Sequence, residues 1–355
     1  MDKRWKELGK LLVNYSTSVQ PNERVMIAMT EIETYPLVQA VYEACVQAGA
    51  HPQVQFLSEK LNRSLLKYGS DQQIEWIPEI EAYGMEWADV YIGLRGAHNL
   101  KVFWDIPSPK LAQLRRSMGK ISTLRWEKTR WCLVRVPNAS LAQEAEMDEE
   151  TITDMFFNAC LLDWSEISEK WNRWATLLSQ GSEIRILGYK TDLHFSVKGR
   201  SWQVANGKIN MPDGEIMTSP DDSTVEGEIY FEFPGVLGGR LMYDVHLQWQ
   251  KGELVKATSS THQDFLQSTI QSDPGASRIG EFAFGTNPEV KYFCKDILLD
   301  EKIGGTIHIA LGRAYPETGG TNKSAIHWDI VKDMRKEGEV YLDGNLIFQK
   351  GKMLI

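Results

Sequence analysis

Apolar and polar positions alternate along the first half of the chain in a way that is typical of repeated strand and helix units. "RVMIAM" (24–29) is a continuous apolar run, and "YPLVQAVYEACVQAGA" (35–50) has helical spacing that ends at Gly49. The same succession continues, with strands predicted at 51–57, 89–96 and 130–137 and helices at 71–88 and 108–120. Continuous apolar strands separated by helices favour a parallel sheet with both faces covered. We therefore predict an N-terminal α/β domain with a mostly parallel sheet, residues 1–180.

After residue 182 the pattern changes to short strands separated by turns that contain glycine. The segments "HLQWQKGELVKA" (246–257) and "YLDGNLIFQKG" (341–351) are typical of hairpins, with turns at Lys251-Gly252 and Asp343-Gly344. One helix is expected at about 261–272. The second half is therefore predicted to be a β-rich α+β domain, residues 181–355, and it carries the chemistry discussed below.

Composition and charge narrow the range of functions. The 355 residues are 42% hydrophobic and 25% charged, as in ordinary soluble globular proteins. A formal net charge of -9 argues against nucleic-acid or anionic-membrane binding, because a negative surface repels phosphates. The chain has no apolar run of membrane-spanning length and no secretory leader pattern, and its four cysteines are widely spaced. We expect a cytoplasmic protein that acts on small molecules or peptides.

Nucleotide-binding motifs are missing from the predicted α/β domain. The junction between its first strand and the helix that follows, "MTEIETYP" (29–36), contains no glycine, whereas a dinucleotide fold requires GxGxxG there. The chain also lacks the GxxxxGK[ST] pattern of a P-loop. No nucleotide cofactor is therefore predicted.

Two histidines in apolar strands stand out as candidate ligands. In "SAIHWD" (324–329), His327 and Asp329 would share one face of a strand, since side chains i and i+2 point the same way. In "GGTIHIALG" (304–312), His308 shares its face with two small neighbours, Thr306 and Ala310. Imidazole and carboxylate are ligands of zinc, iron, manganese and cobalt. A metal site and a pair of hydrogen-bonded core histidines are both compatible with this pattern.

Two acidic residues occupy unusual positions in the same half of the chain. Glu215 in "MPDGEIMTSP" and Glu281 in "RIGEFAFGTNP" each follow a glycine directly and precede an apolar residue. A carboxylate on a solvated turn needs neither feature, although a surface-loop interpretation carries about equal weight. Both residues are therefore candidate metal ligands.

Four segments in this order resemble the motif blocks of a known enzyme family. They are "GEIMTSP" (214–220), "IGEFAFGTN" (279–287), "GGTIHIALGRAYP" (304–316) and "SAIHWD" (324–329). The family is that of the metal-dependent aminopeptidases typified by thermophilic aminopeptidase T and aminopeptidase S. The N-terminal stretch 8–27 is similar in character too, so the resemblance covers most of the chain. The chain is shorter than those family members, chiefly before Glu215 and between Tyr315 and His327.

The resemblance implies a dinuclear metal centre. Its two divalent ions, zinc, cobalt, manganese or magnesium, would be held by Glu215, Glu281, His308, His327 and Asp329, with Glu281 as the bridging and catalytic carboxylate. Tyr315 would point its phenol into the site as a hydrogen-bond donor to the oxyanion. The implied reaction is hydrolysis of the N-terminal residue of short peptides by a metal-activated water. A homodimer is expected on the same basis.

Two other interpretations use the same residues. Chains similar to this family include dihydroxypyridine-type ring-cleaving dioxygenases, in which His308, His327 and Asp329 would form a facial triad around a single iron. A structural metal site without catalysis is the other interpretation. Glu215 and Glu281 favour the hydrolase, because a mononuclear iron site has no use for two further acids.

Overall fold

The computed structural model describes residues 2–124 and 128–355. Its α-helices are α1 (Lys3–Leu11), α2 (Tyr35–Gln47), α3 (Glu59–Tyr68), α4 (Asp71–Glu75), α5 (Glu79–Trp87), α6 (Ser108–Thr123), α7 (Ala139–Glu144), α8 (Glu149–Cys160), α9 (Trp164–Leu178), α10 (Gln263–Ile270) and α11 (Ile297–Asp300). Its strands are β1 (Arg24–Thr30), β2 (His51–Leu57), β3 (Val90–Arg95), β4 (Arg130–Arg135), β5 (Glu183–Gly188), β6 (Thr191–Ser196), β7 (Gln203–Ala205), β8 (Asn210–Met211), β9 (Glu215–Thr218), β10 (Glu226–Tyr230), β11 (Gly235–Leu237), β12 (Arg240–Met242), β13 (His246–Gln250), β14 (Glu253–Thr258), β15 (Ile279–Gly285), β16 (Thr306–Gly312), β17 (His327–Asp333), β18 (Glu339–Leu342), β19 (Asn345–Gln349) and β20 (Lys352–Met353).

The chain forms two compact units. The first contains the residues up to Leu161 together with Gly207–Pro212, and the second contains Leu162–Asn206 and Asp213–Ile355. Helix α9 therefore belongs to the second unit, and the segment with strand β8 belongs to the first. The domain boundary after residue 180 stays a prediction.

The first unit is built on a parallel five-stranded sheet in the order β2-β1-β3-β4-β8. Its central strands β1 and β3 bury Val25, Ile27 and Ile92 completely. Helices α1 and α2 pack against each other at Gly9, where an added Cβ would lie 2.7 Å from the carbonyl carbon of Ala40. This close approach explains the glycine in a helix that otherwise has regular amphipathic spacing.

The second unit contains two antiparallel sheets. The larger has the order β14-β13-β10-β6-β5-β18-β19-β20, and the smaller has the order β17-β16-β15-β9-β7. Aromatic rings join them: Phe195 of β6 lies 5.3 Å from Phe282 of β15, and Phe284 of β15 lies 5.4 Å from Phe348 of β19, between ring centroids. One face of the smaller sheet therefore packs into an aromatic core. The residues that alternate with these aromatic positions point to the other face.

The predicted fold class is confirmed: a parallel sheet with helices precedes a β-rich α+β region. Both hairpins are confirmed, and the two residues of each turn have positive φ, at Lys251-Gly252 and Asp343-Gly344. The helix predicted at 71–88 is divided into α4 and α5, because Pro78 lies between them. Among the described residues, no helix is both long and apolar enough to cross a membrane.

Candidate metal centre

Strand register gathers the candidate residues on one face of the smaller sheet. Phe282 and Phe284 of β15 face the aromatic core, so Glu281 points to the opposite face. Ala310 of β16 lies opposite Glu281, and Asp329 of β17 lies opposite Ala310. Glu281 and Asp329 therefore project on the same side, two strands apart.

The other three sequence-predicted candidates lie on that same face. His308 is central in β16, His327 begins β17, and Glu215 begins β9. Each has a small partner on one neighbouring strand, namely Ala283, Gly312 and Gly285, respectively. Small partners leave open space above the sheet, into which the longer acidic and imidazole side chains extend.

Glu281 lies between the two imidazoles. Its Oε1 is 3.3 Å from Nε2 of His308, and its Oε2 is 3.3 Å from Nε2 of His327. Asp329 Oδ1 is 3.3 Å from Nε2 of His327 and 4.0 Å from Nε2 of His308. Each oxygen of Glu281 thus faces a different histidine, which is the arrangement that a bridging carboxylate requires.

One further acid of the cluster, Glu301, was not predicted from the sequence. It follows the short helix α11, and its carboxylate lies near Glu215 and His308, whose own Oε2 and Nε2 atoms are 3.5 Å apart. Possible ligand atoms form two groups, each with all atoms within 4.8 Å of one another: Glu215, Glu301 and His308, and Glu281, His327 and Asp329. The only signal in "LLDEKIGG" (298–305) was three consecutive charged residues enclosed by apolar ones.

The glycines before Glu281 and Glu215 are required by close backbone contacts. At Gly280, beside a bulge in β15, an added Cβ would lie 2.3 Å from the carbonyl oxygen of Gly312. Gly214 has a φ of 136°, and an added Cβ there would lie 2.8 Å from Cβ of Asn287. The glycine-acid pairs noted in the sequence therefore reflect how tightly the backbone holds both carboxylates.

Burial makes the electrostatics of this cluster unusual. His308 is fully buried, and the side chains of Glu281 and Asp329 are 4% and 10% exposed. Burial raises the pKa of Glu215 to about 8, in spite of nearby Lys302. For His308, burial opposes protonation, but the hydrogen bond to Glu281 and the nearby acids outweigh it and raise its pKa to about 9. In the protein without metal, the cluster thus contains more buried acid groups than the nearby histidines and Lys302 neutralise.

The donor set fits divalent metal ions. Nδ1 of His327 lies 2.7 Å from the carbonyl oxygen of Arg313, and in the tautomer that donates this bond the Nε2 lone pair faces the carboxylates. Oε2 of Glu215 is buried and accepts no hydrogen bond from the described residues. Oriented imidazole and available carboxylate oxygens are the ligands that zinc, manganese and cobalt share.

Tyr315 lies at the edge of this cluster. Its ring centroid is 5.1 Å from that of His327. Burial and the acids Glu281 and Asp329 raise the pKa of the phenol to about 12, although His327 acts in the opposite direction. The hydroxyl therefore keeps its proton at neutral pH and is able to donate a hydrogen bond.

A buried lysine, also unforeseen from the sequence, contacts the first group. Nζ of Lys302 lies 2.7 Å from Glu301 Oε1, 2.8 Å from Glu215 Oε1 and 3.2 Å from Asp213 Oδ1. Its side chain is fully buried. Burial alone would lower the pKa of this ammonium, but the three carboxylates outweigh burial and raise it, so the lysine is charged.

The chain is similar to known proteins over nearly its full length. A family model described as thermophilic metalloprotease (M29) matches residues 1–353. Aminopeptidase T of Thermus thermophilus is 23% identical over 98% of both chains, and Aminopeptidase 2 of Geobacillus stearothermophilus is 23% identical over 98% of this chain and 99% of its own.

Two solved structures share the fold. Wild-type AmpT from Thermus thermophilus has a TM-score of 0.88 at 21% sequence identity and covers 99% of both chains. The 2,5-dihydroxypyridine dioxygenase from Pseudomonas putida KT2440 has a TM-score of 0.60 at 15% identity, over 99% of this chain and 96% of its own. At these identities, the likeness establishes the fold alone.

Proposed function

The chain belongs to the M29 family of thermophilic metalloproteases, and from this premise we propose that it is an aminopeptidase that removes the N-terminal residue of short peptides. Relatives that match nearly its full length bear the names Aminopeptidase T and Aminopeptidase 2. The observation that carries the proposal is the pair of ligand groups on one sheet face, with Glu281 between their histidines. Two-metal hydrolases use such paired sites.

The proposed centre has one ion in each group. Glu215, Glu301 and His308 would hold the first, and Glu281, His327 and Asp329 the second. The position of Glu281, with one oxygen toward each histidine, supports its role as the bridge. Zinc, cobalt, manganese and magnesium all accept carboxylate ligands, and the imidazoles favour the first three.

When bound, two such ions would polarise the scissile carbonyl and lower the pKa of water. The remaining work falls to the protein. The Tyr315 hydroxyl, which is protonated at neutral pH, would donate to the oxygen on which negative charge develops. A carboxylate of the cluster would carry the proton from water to the leaving amine. An acid group of the cluster could also pair with the free α-amine of the substrate, which would distinguish an aminopeptidase from an endopeptidase.

The test uses metal-free protein that is reloaded separately with zinc, cobalt, manganese or magnesium. We expect two ions per chain by elemental analysis and cleavage of leucine or arginine para-nitroanilide. N-acetyl-leucine para-nitroanilide is the matched substrate control, since it lacks the free amine. Equal cleavage of blocked and free substrates would contradict the exopeptidase assignment, and absence of cleavage with every metal would contradict peptidase activity.

Glu301→Gln tests the ligand that the sequence did not reveal. The neutral amide is a poorer metal ligand than the carboxylate, so we expect loss of one ion per chain and a fall in kcat/KM of roughly 10²-fold or more. The matched control is Glu253→Gln, at an exposed position of β14 outside both groups. Retention of two ions by Glu301→Gln would remove Glu301 from the ligand set.

The ring-cleaving alternative has less support. His308, His327 and Asp329 do converge, as a facial triad requires, and a dioxygenase shares the fold at a TM-score of 0.60. However, a single iron held by this triad would not use the carboxylates of Glu215 and Glu301, which lie close to His308. One iron per chain, with oxygen uptake on 2,5-dihydroxypyridine and no anilide cleavage, would favour it. Homodimer formation and a cytoplasmic location stay predictions, and analytical ultracentrifugation tests the first.

A further inference from the structure

The two ligand groups differ in their contact with a buried lysine. Both carboxylates of the first group, Glu215 and Glu301, contact the ammonium of Lys302 at 2.8 Å and 2.7 Å. With Asp213 at 3.2 Å, all three ammonium donors have an acceptor. The lysine is thus a fixed buried cation built into that half of the centre.

Among the described residues, no lysine or arginine lies at ion-pair distance from the second group, although the charge of Lys302 also lowers the pKa of Asp329. Within the described parts of the chain, the cationic side chains at ion-pair distance from Glu281 and Asp329 are the imidazoles of His308 and His327. These imidazoles are themselves proposed ligands and would lose any extra proton when they bind a metal. The asymmetry between the groups therefore persists after metal binding, because Lys302 stays in place.

We propose that Lys302 is a positioning residue that stabilises the first group without metal and makes it the weaker, exchangeable half of the centre. The proposal rests on the two-metal centre proposed above. Glu215, Glu301 and His308 would then form a position that is filled last and emptied first.

The physical reason is competition for the same carboxylates. In the metal-free protein, the ammonium compensates buried charges that would otherwise be costly. Because Glu215 and Glu301 both contact that ammonium, an ion held by them would be close to it, and like charges at short range in a buried site repel strongly. The empty form is favoured and the filled form is disfavoured, and both effects lower the affinity of the first group.

The first measurement is a cobalt titration of the metal-free full-length protein, followed by visible absorption and calorimetry. We expect two binding steps whose dissociation constants differ by about tenfold or more. Glu301→Gln should remove the weaker step and Asp329→Asn the tighter one. Two equal steps, or the reverse assignment, would overturn the proposal.

The second measurement compares Lys302→Met with a matched control, Lys332→Met. Lys332 is also fully buried in the second unit, where its Nζ lies 2.8 Å from Glu232 Oε1 and 2.8 Å from the carbonyl oxygen of Tyr230, outside both groups. Lys302→Met should tighten the weaker step about tenfold or more and lower the Tm of the metal-free form more than that of the cobalt form. Lys332→Met should lower both Tm values alike and leave the two steps unchanged.

The outcomes separate this proposal from the proposed function. If the weaker step of Lys302→Met is unchanged or weakened, Lys302 only orients its ligands or is merely structural, and the proposal is wrong. If folded Lys302→Met is recovered only when cobalt is present, the proposal is supported. If the variant is not recovered at all, the assignment of the two binding steps in the wild type, through Glu301→Gln and Asp329→Asn, tests the proposal. Two unequal steps without anilide cleavage would refute the aminopeptidase and leave this inference standing. A single binding step together with anilide cleavage would refute this inference and leave the aminopeptidase proposal standing.

Discussion

An ion pair of the first unit and the acid cluster of the second unit lie in opposite environments. In the first unit, Arg24 of β1 pairs with Asp89 at 2.8 Å, and their side chains are 43% and 35% exposed. In the second unit, Glu215, Glu281 and Asp329 belong to one cluster, and each of these three side chains is 10% exposed or less. One set of charges is solvated and paired one to one, and the other is buried with acids in excess.

This difference shows where the fold accepts an energetic cost. An exposed ion pair contributes little and its loss is tolerated, whereas an uncompensated buried carboxylate destabilises the folded state. Four carboxylates that are buried or nearly buried above one sheet face destabilise the folded state unless positive charge compensates them. The protonated histidines and Lys302 supply part of that charge, and metal ions supply the rest under our proposal.

The strongest test of this contrast is Glu281→Ala. Because Glu281 faces both histidines, its loss should remove metal from both groups, and kcat/KM should fall on the order of 10³-fold or more. Elemental analysis and leucine para-nitroanilide turnover measure the two effects. The control is Glu253→Ala at an exposed position of β14. Two ions retained by Glu281→Ala would show that this carboxylate is not a ligand.

A smaller and more selective effect is expected for Tyr315→Phe. The phenol lies beside His327 but belongs to neither ligand group, so metal content should stay at the wild-type value. Loss of one hydrogen-bond donor to the developing oxyanion should lower kcat roughly 10²-fold to 10³-fold, with little change in KM. Tyr292→Phe, at an exposed tyrosine of the same unit, is the control. A change confined to KM would assign Tyr315 to substrate binding instead.

Period-two alternation explains why much of the candidate site was visible in the sequence. His327 and Asp329 were expected to share a strand face, and β17 places their Nε2 and Oδ1 atoms 3.3 Å apart. Strand β2 has the predicted bounds, since a short polar-apolar run next to a glycine turn leaves few other registers. Local pattern was therefore sufficient for these two strands.

Elements without a period were not predictable. Glu301 follows α11, which is a single short helical segment, and Lys302 comes next to it; neither lies in a repeating pattern. Both acquire their role through long-range contacts with β9, where Glu215 begins the strand. Strand β8 has only two residues, and it joins the parallel sheet of the first unit from a distant part of the chain. Such pairings are determined by tertiary packing, which local spacing does not encode.

The mildest test concerns the exposed pair of the first unit. Hydrogen bonds from Arg24 lower the pKa of Asp89 to about 2, below its unfolded value of about 3.9. A carboxylate with a lowered folded pKa stabilises the protein above its unfolded pKa, and that contribution disappears as the pH falls from about 4 toward 2.

Asp89→Asn should therefore lower the Tm slightly at pH 7, and the difference from wild type should vanish at the acid end of this window. Calorimetry at both pH values, with Glu7→Gln as the exposed control, measures it. If Asp89→Asn destabilised the protein as strongly as loss of a buried carboxylate partner does, the contrast between solvated and buried charges would not hold, because a solvated pair has little to lose.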